Sequence, residues 1–581
     1  MPFVRVARVV PDVTGVDKVF DYLIPEVLKD SIKIGVRVRV PLHGRNVAGW
    51  VVAIGDPSDG LAVDKIRSVM KVLGLGVTSE IVDLANWATK RWVGRMRSFI
   101  STGAPKTLIA KVPSARYMPR AVNFASQAIE TLEKYGSGLL TVAPLTNLST
   151  IVSAVACDGP TIVILPTQNR AKLLSAALKA NNFSVALWPQ DWASAMGGVD
   201  VVIGTRSAVW APVAKFASIV VVDEHDDLLQ EERSPTWHAR EVAIERARRC
   251  DARCVLLSPV PSLAARKWAG DRIVVDTQNP WPKFVIVDRN LDEQWSRSLI
   301  SSELIEELRD KSRKTVCVLN TKGRARLIAC GACRTVLRCE KCDAALVQPD
   351  QTKLACPRCG ESRPVICQSC GSGSCAVIKP GVSRLREELE AAANRAVIEV
   401  TATSENINQR GGIFVGTEAA LHRVQSADTV AFLDVDSELL APRYRASEIV
   451  GALIVHAARL VGRSENEPRI LLQTHTPDNL FLQGISRGDL KNYFETDSAR
   501  REMLQFPPFG AIAQISGKGT SSFLDSLNGS LDYASVVRTV IIDSDSGLVR
   551  AQSWQVLTDV LTTAKRPAKS QLIIHLDPPR V

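Results

Sequence analysis

The pattern of apolar and polar positions changes twice along the chain. In the first hundred residues, short apolar or alternating segments separated by Gly and Pro predict a small β-barrel. These segments are residues 4–10, 18–25, 35–41 and 49–55. Between residues 104 and 123, three prolines among basic residues indicate a linker. We therefore predict an N-terminal β domain at 1–105 and a linker at 106–125.

After the linker, continuous apolar runs of strand length alternate with helical stretches. The first series is 161–165, 199–204, 218–223 and 254–258, and the second is 315–320, 397–400, 412–416, 429–434 and 469–473. Such runs are typical of a parallel sheet with helices on both faces. The fold class is therefore α/β, with two tandem lobes at 126–290 and 291–485 and a C-terminal α+β domain at 486–581. Two such lobes resemble the RecA-like core of superfamily 2 helicases.

Four Cys-x-x-Cys pairs occur within residues 330–370, inside the second lobe. They are Cys330/Cys333, Cys339/Cys342, Cys356/Cys359 and Cys367/Cys370. One such turn presents two thiolates to a single ion, and Zn²⁺ takes four in a tetrahedron. The eight cysteines therefore predict two structural zinc ions per chain, with no position left for a reacting water.

The spacing allows consecutive or nested pairing of the four turns. We favour the nested arrangement, in which the outer pairs clamp the inner pairs into one lobe. Zinc 1 would then be held by Cys330, Cys333, Cys367 and Cys370, and zinc 2 by Cys339, Cys342, Cys356 and Cys359. Because the segments between the pairs contain few large apolar residues, we expect the metal to replace an apolar core. The other five cysteines are interpreted as packed or free thiols.

Composition and charge add a compartment and a partner class. The chain has 581 residues, 46% of them hydrophobic, with a mean hydropathy of +0.04. With no secretory signal and no apolar run of membrane length, the expected compartment is the cytoplasm. The net charge is +11, and residues 311–380 hold 13 Lys and Arg against 4 Asp and Glu. We therefore expect DNA to contact this region, through Arg324, Arg326 and Arg338.

Several motifs follow one another in a familiar order. They are FDYLIP at 20–25, GTRSA at 204–208, VDE at 222–224, EERSPTWHAR at 231–240, the eight cysteines, VGTE at 415–418, LDVD at 433–436 and FPPF at 506–509. In this order the chain resembles the bacterial PriA family of primosomal replication-restart proteins. The resemblance implies binding to stalled or abandoned replication forks. It also implies recruitment of primosome proteins, single-strand-binding protein and the factors that reload the replicative helicase.

The resemblance also places Phe20, Asp21 and Tyr22 on the family's motif for binding the 3′ end of a nascent strand. An aromatic ring can stack on a terminal base, and a carboxylate can accept a hydrogen bond from a free 3′-hydroxyl. Phe20 alone is interpreted equally well as a core residue of a strand. The family's winged-helix domain is missing or much reduced, because only the short linker follows the N-terminal domain.

The family's phosphate-binding loop is not preserved. That loop needs G-x-x-x-x-G-K-[ST] after the first strand, because glycine amides surround the phosphates and the lysine neutralises the terminal one. Within 139–150, Ser149 stands in the lysine position, and Ala143, Thr146 and Leu148 replace the glycines. The sequence GKGT at 517–520 is interpreted as a turn.

Other helicase motifs are incomplete. Asp223 and Glu224 remain from the acidic motif, while Arg463 remains from the last motif, in which Leu460 occupies the first arginine position. The segment SPVP at 258–261 replaces a Ser-Ala-Thr motif. We therefore predict no catalytic residue, no ATP binding and no ATP hydrolysis, and we expect Asp223 and Glu224 to be dispensable.

Two other interpretations remain open from the sequence. The first is an active ATP-dependent 3′-5′ DNA helicase whose phosphate contacts have diverged. The second is a zinc-stabilised protein-interaction factor without DNA affinity, against which the basic charge argues.

Overall fold

The structure, a computed structural model, describes residues 5–16, 18–58, 63–118, 132–275, 281–291, 298–320, 328–350, 352–377, 385–407, 411–568 and 570–579. The N-terminal strands are β1 (Val6–Pro11), β2 (Phe20–Leu23), β3 (Arg37–Leu42), β4 (Arg45–Gly55) and β5 (Lys71–Gly74), followed by helices α1 (Ser79–Arg91) and α2 (Met96–Gly103). They form an antiparallel sheet of order β2-β1-β4-β3-β5. Leu23 joins β2 to the segment before β5 by donating to Arg67 O at 2.9 Å and accepting from Val69 N at 3.0 Å. The sheet thus closes into the predicted barrel.

The first α/β lobe contains a seven-stranded parallel sheet. Its elements are β6 (Gly138–Thr141), α3 (Leu148–Cys157), β7 (Thr161–Ile164), α4 (Gln168–Ala180), β8 (Val185–Leu187), α5 (Trp192–Gly197), β9 (Val201–Gly204), β10 (Ser218–Val222), α6 (Ala239–Arg249), β11 (Arg253–Ser258), α7 (Leu263–Ala269) and β12 (Ile273–Val275). The strand order is β12-β6-β11-β10-β7-β9-β8. The central strands are buried on both faces, which explains their continuous apolar sequences.

The second α/β lobe carries the cysteine-rich insertion. Its elements are β13 (Lys283–Asp288), α8 (Ser302–Arg309), β14 (Lys314–Val318), the inserted strands β15 (Ile328–Cys330), β16 (Lys353–Ala355), β17 (Ser362–Pro364) and β18 (Cys375–Val377), then α9 (Leu385–Ala393), β19 (Val397–Val400), β20 (Gly412–Gly416), α10 (Glu418–Arg423), β21 (Thr429–Phe432), α11 (Asp436–Leu439), α12 (Ala446–Val461), β22 (Arg469–Thr474), α13 (Leu480–Arg487) and α14 (Lys491–Met503). The parallel sheet has the order β13-β22-β21-β14-β20-β19.

The two lobes repeat one architecture. Counted from the first strand of each lobe, the order is 7-1-6-5-2-4-3 in the first lobe and 1-6-5-2-4-3 in the second. The shared order, with parallel pairing throughout, makes these tandem RecA-like lobes. The predicted helicase-like fold class is confirmed.

The insertion and the C-terminal domain are small separate sheets. In the insertion, β15 pairs with β18 and β16 with β17, and Ile328, Leu337, Leu346 and Leu354 are buried among the cysteines. The expectation that metal wholly replaces an apolar core there is therefore wrong. The C-terminal domain contains β23 (Ala511–Ser516), α15 (Thr520–Asn528), α16 (Leu531–Ala534), β24 (Val537–Asp543), β25 (Ser546–Ala551), α17 (Trp554–Thr563) and β26 (Ile573–Leu576). Its α+β character is as predicted.

A continuous apolar core joins the first lobe to the N-terminal helices and to the C-terminal domain. Trp92 of α1–α2, Trp210 of the first lobe and Phe523 of α15 all belong to one buried cluster, and the core of the second lobe is a separate cluster that includes Val260 and Leu263 of the first lobe. The two lobes therefore share apolar packing at Val260 and Leu263.

The described part of the predicted linker, 106–118, has no helix or strand. Its backbone contacts the barrel where Leu75 N donates to Ile109 O at 2.8 Å, and it contacts the first lobe where Met118 N donates to Asp200 Oδ1 at 3.0 Å. Residues 517–519 form the predicted turn, with Gly517 and Gly519 at φ of +101° and +96°. Within the described ranges, no helix is both long enough and apolar enough to cross a membrane.

Candidate functional site

The four Cys-x-x-Cys pairs adopt the same backbone turn. In each turn, the carbonyl of the first cysteine accepts from the N–H four positions later, at 2.8 to 3.0 Å. The residue at that position has a positive φ in every case, and these residues are Arg334, Asp343, Gly360 and Gly371. The N–H of the first cysteine donates to the carbonyl five positions later, at 2.7 to 2.9 Å. Each turn therefore holds its two Sγ atoms on one side of a rigid loop.

The turns bring the eight thiols into two tetrads in the nested arrangement. One tetrad contains Cys330, Cys333, Cys367 and Cys370, the other Cys339, Cys342, Cys356 and Cys359, and within each all four Sγ atoms lie within 4.8 Å of one another. The Sγ–Sγ distances across the pairs are 3.3 to 3.5 Å. A tetrahedral ion with bonds of about 2.3 Å would separate its ligands by about 3.8 Å, so each tetrad can accept one metal ion with small adjustments.

A half-buried arginine fastens the inner tetrad to the second lobe. Arg358 lies between Cys356 and Cys359, donates to Cys342 O at 2.8 Å and also donates to Ala441 O, beyond α11. Burial lowers the pKa of this guanidinium from its ordinary value, although the nearby Cys342 and Asp497 oppose that shift. The position of the inner tetrad is thus coupled to the start of α12.

Of the three arginines predicted to contact DNA, one lies within the described part of the chain. Arg324 and Arg326 lie outside the described residues. Arg338 is described, and its guanidinium is 3.4 Å from Asp343 and 3.4 Å from Asp478, with the side chain 25% exposed. Together with Arg500 it lines a cavity of about 220 Å³ between the insertion, the second lobe and α14. Two carboxylates therefore compete with any phosphate for Arg338.

The N-terminal motif lies on β2, where alternation separates its aromatic rings from its acid. Tyr22 is buried in the barrel, and its hydroxyl donates to Pro41 O at 3.0 Å. Phe20 is half-buried and packs against the same core. Asp21 points to the other face, where its Oδ2 accepts from Ser58 N at 2.7 Å and Arg8 Nε is 3.6 Å from its Oδ1. The contacts of Tyr22 favour a structural role for that ring.

The loop after the first strand of the first lobe, where the sequence predicts that the phosphate-binding loop is lost, is short and internally bonded. It connects β6 to α3, and Thr146 N donates to Ala143 O at 3.1 Å. Asn147 caps α3, because its Oδ1 accepts from Ser149 N at 3.0 Å and from Ser149 Oγ at 2.8 Å. The amide that a phosphate would use at this helix N-terminus is therefore already bonded.

Glu224 is fully engaged by other side chains. Its Oε2 accepts from Arg240 Nη1 and from Ser262 Oγ, both at 2.8 Å, and its Oε1 accepts from Ser262 N at 2.7 Å. The side chain is 0% exposed. Both oxygens of this carboxylate therefore already accept from protein donors.

Asp223 joins the two lobes. It follows β10 with a φ of +54°, and its side chain is 2% exposed. Arg459 of α12 donates to both carboxylate oxygens, at 2.7 and 2.8 Å, and Arg170 of α4 also contacts Oδ2. Burial alone would raise the pKa of Asp223, but the charges of Arg170 and Arg459 outweigh it and hold that pKa well below the usual range.

Sequence reasoning assigned the remnant arginine differently. Arg463 is exposed and donates to Gln425 O at 3.2 Å, whereas Arg459, one position before Leu460, makes the contact with Asp223. Asp223 and Glu224, expected from sequence to be dispensable, are bound by arginines that lie on elements distant in the chain. The positions of Arg170 and Arg240 on amphipathic helices give no signal that would have identified them.

Comparison with known proteins gives the following similarities. A family model of the PriA 3′ DNA-binding domain (3′BD) matches residues 8–105. The replication restart protein PriA of Rickettsia conorii is 25% identical over 558 residues, which cover 86% of this chain and 85% of that protein. The replication restart protein PriA of Bacillus subtilis is 28% identical over 346 residues, which cover 55% of this chain and 43% of that protein.

Among solved structures, the DUF1998 helicase MrfA bound to DNA covers 80% of this chain and 70% of its own, with 11% identity and a TM-score of 0.34. Because this TM-score is low, the fold assignment rests on the strand order of the two parallel sheets.

Proposed function

Because the chain belongs to the PriA family of replication restart proteins, we propose that it recognises stalled or abandoned DNA forks and acts there as a scaffold. Replication restart with DNA binding is the role that the family matches support. The observation that carries the proposal is the match of residues 8–105 to a 3′ DNA-binding domain, on a barrel that carries Asp21 on the face opposite its core.

The proposed fork contact combines a 3′-end site with a basic surface. Asp21 is the polar residue of the motif; its side chain is 5% exposed and its second oxygen lies 3.6 Å from Arg8, so a 3′-hydroxyl would bind that oxygen in exchange for the contact with Arg8. Phe20 lies on the opposite face of β2 and packs against the barrel core, so Asp21 is the residue of the motif on which the proposed contact rests. The net charge of +11 supplies the general attraction to phosphate.

The two tetrads are proposed to hold one Zn²⁺ each. Four thiolates on rigid turns suit zinc and leave no open coordination position, so the ions would be structural. Bound zinc would fix the insertion against the second lobe through the Arg358 contacts. The second proposed DNA contact is that lobe together with the basic segment that precedes the first cysteine pair and contains Arg324 and Arg326.

The protein is proposed to neither bind nor hydrolyse ATP. Phosphoryl transfer depends on positioned charges, and each lost contact costs about 3 kcal/mol of transition-state stabilisation. The lysine is replaced by Ser149, the helix amide is capped by Asn147, and both acids are held by arginines. These absences together would suppress turnover by several orders of magnitude, at about 1.4 kcal/mol per tenfold.

Primosome proteins, single-strand-binding protein and loaders of the replicative helicase are the proposed partners, on family grounds alone. One pair of measurements tests the function. Affinity for a model fork should exceed that for plain duplex of the same length, and ATP turnover should stay at background with the fork present. Equal affinity for fork and duplex, or no DNA binding, would favour a protein-interaction factor. Fork-stimulated turnover of about one per second, within the ordinary range for such enzymes, would favour an active helicase.

A further inference from the structure

The two lobes touch through a charged cluster at the former nucleotide site. Arg459 binds both oxygens of Asp223, and its Nε donates to Pro144 O at 3.0 Å, in the loop that replaces the phosphate-binding loop. Arg170 contacts the same carboxylate from the side of the first lobe. One guanidinium from the second lobe is thus bonded to two separate parts of the first.

In an active P-loop enzyme, the acid holds Mg²⁺ and the arginine of the facing lobe meets the terminal phosphate, so the nucleotide lies between them. Here the acid meets an arginine of the facing lobe directly, although Arg459 stands at neither of the two arginine positions of the motif. We propose that the Asp223–Arg459–Arg170 cluster takes the place of a Mg-nucleotide and holds the lobes in one fixed arrangement, so that the protein no longer opens and closes in response to nucleotide.

Neighbouring contacts along the same seam support a fixed arrangement. His456 Nε2 of α12 lies 3.2 Å from Asp226 Oδ2, and Leu263 N of α7 donates to Glu448 Oε1 at 3.3 Å. Leu145 packs so closely on Gly462 that a Cβ there would lie 2.4 Å from the leucine methyl carbons. Polar contacts and close packing therefore occur at both ends of α12.

A ligand shifts two lobes only if it binds one arrangement better than another. Mg²⁺ has no free oxygen on Asp223, and a phosphate meets a capped helix, so a nucleotide gains little by entering.

The cluster is also asymmetric. Removing Arg459 leaves Asp223 paired with Arg170, whereas removing Asp223 leaves two arginines facing each other without an anion. Arg459→Ala is therefore the cleaner variant, and it acts on the interface rather than on either lobe.

Hydrogen exchange of the full-length protein tests this without DNA, so it stands apart from the fork-binding proposal. The amides of Val142 and Thr146, which donate to Ser258 O and Ala143 O, should exchange at the same slow rate with Mg-ATP, with Mg-ADP and with neither. In Arg459→Ala they should exchange about tenfold faster or more, because the lobes separate locally. Arg463→Ala, which removes an exposed arginine two positions after α12, should match the parent.

A change of more than about twofold on adding nucleotide to the parent would overturn the proposal, because it would show that the lobes still respond. Equal exchange in Arg459→Ala and the parent would overturn it also, because the cluster would then not hold the interface. If Arg459→Ala does not fold, the exchange rates of the parent and of Arg459→Lys are each compared with and without nucleotide. A change of more than about twofold in the parent would again overturn the proposal.

Discussion

Arg91 and Asp577, which are 486 positions apart, meet at 2.6 Å between Nη2 and Oδ2. The same Nη2 lies 2.7 Å from Glu241 Oε2 of α6, so one guanidinium ties together α1, the first lobe and the end of the C-terminal domain. Burial alone would lower the pKa of Arg91, but the two carboxylates outweigh it and raise that pKa above its ordinary value. The N- and C-terminal domains are therefore fastened to the first lobe at a shared point.

Replacing Arg91 should loosen that point. Arg91→Ala leaves Glu241 and Asp577 without their cation in a largely buried site, which should cost about 3 kcal/mol of unfolding free energy. The midpoint of the first transition in urea-induced unfolding should therefore move to a lower urea concentration. Arg248→Ala removes an arginine that is 68% exposed and paired with Glu245, and it should leave that transition in place. Equal shifts for the two variants would show that the Arg91 contacts contribute nothing particular.

Metal content should be two zinc ions per chain. Cys339→Ser with Cys342→Ser removes two ligands of the inner tetrad and should release one ion while the outer tetrad keeps the other. Cys375→Ser is the control, because this cysteine lies in the same insertion but outside both tetrads. Elemental analysis of purified protein giving one zinc or none in the parent would contradict the assignment. So would loss of both ions from the double variant.

Asp21 should discriminate between 3′ ends. Asp21→Ala should remove the preference for a fork with a free 3′-hydroxyl over one with a 3′-phosphate, because the acceptor for the hydroxyl is gone, and affinity for duplex should change little. Asp30→Ala replaces an exposed acid of the same domain and should keep the preference. If Asp21→Ala discriminates as well as the parent, Asp21 serves only its contacts with Ser58 and Arg8.

The salt dependence of fork binding should separate the basic residues. Affinity should fall steeply as salt rises from about 50 to 200 mM, since bound counterions are released on association. Arg324→Glu with Arg326→Glu should reduce the slope of log affinity against log salt by about two. Arg338→Ala should reduce it much less, because Asp343 and Asp478 already engage that guanidinium. An unchanged slope in the double variant would mean that these charges do not contact phosphates.

Stability should fall as the pH drops below about 6.5, in part through His238. Burial, together with the charges of Arg240 and Arg445, lowers the pKa of His238 well below its ordinary value. Its Nδ1 accepts from Arg240 N at 3.1 Å and caps α6, so the neutral ring is the folded form. A folded-state pKa below the unfolded one gives stability that is present above pH 6.5 and lost as the pH falls.

His238→Asn keeps an acceptor at the helix cap and removes the titration. The difference in unfolding midpoint between pH 7 and pH 5 should become smaller in this variant. It should not disappear, because burial also lowers the pKa of His225. His43→Asn is the control, since His43 is exposed on a turn with a φ of +47° that asparagine tolerates. A pH difference that is the same in all three proteins would place the loss elsewhere.

Features that depend only on residues close together in the chain can be predicted from the sequence. A Cys-x-x-Cys turn is complete within six residues, so its metal-binding character needs nothing distant. The strands of both lobes are legible because burial on two faces makes them continuously apolar. The predicted loss of the phosphate-binding loop is equally local, since glycines and a lysine are either present at their spacing or absent.

Contacts between distant elements were decided only by the tertiary structure. Spacing left the pairing of the four cysteine turns open, because it does not say which turns the small sheets of the insertion bring together. On β2, alternation is visible in the sequence, but which face meets the barrel core, and hence that Tyr22 is buried, depends on how the sheet closes.

The bond from Arg459 to Asp223 joins residues 236 positions apart, and it forms because α12 ends where β10 ends across the interface between the lobes. No local pattern encodes that approach, since many surface helices carry an arginine at such a position and only the packing of the lobes selects this one.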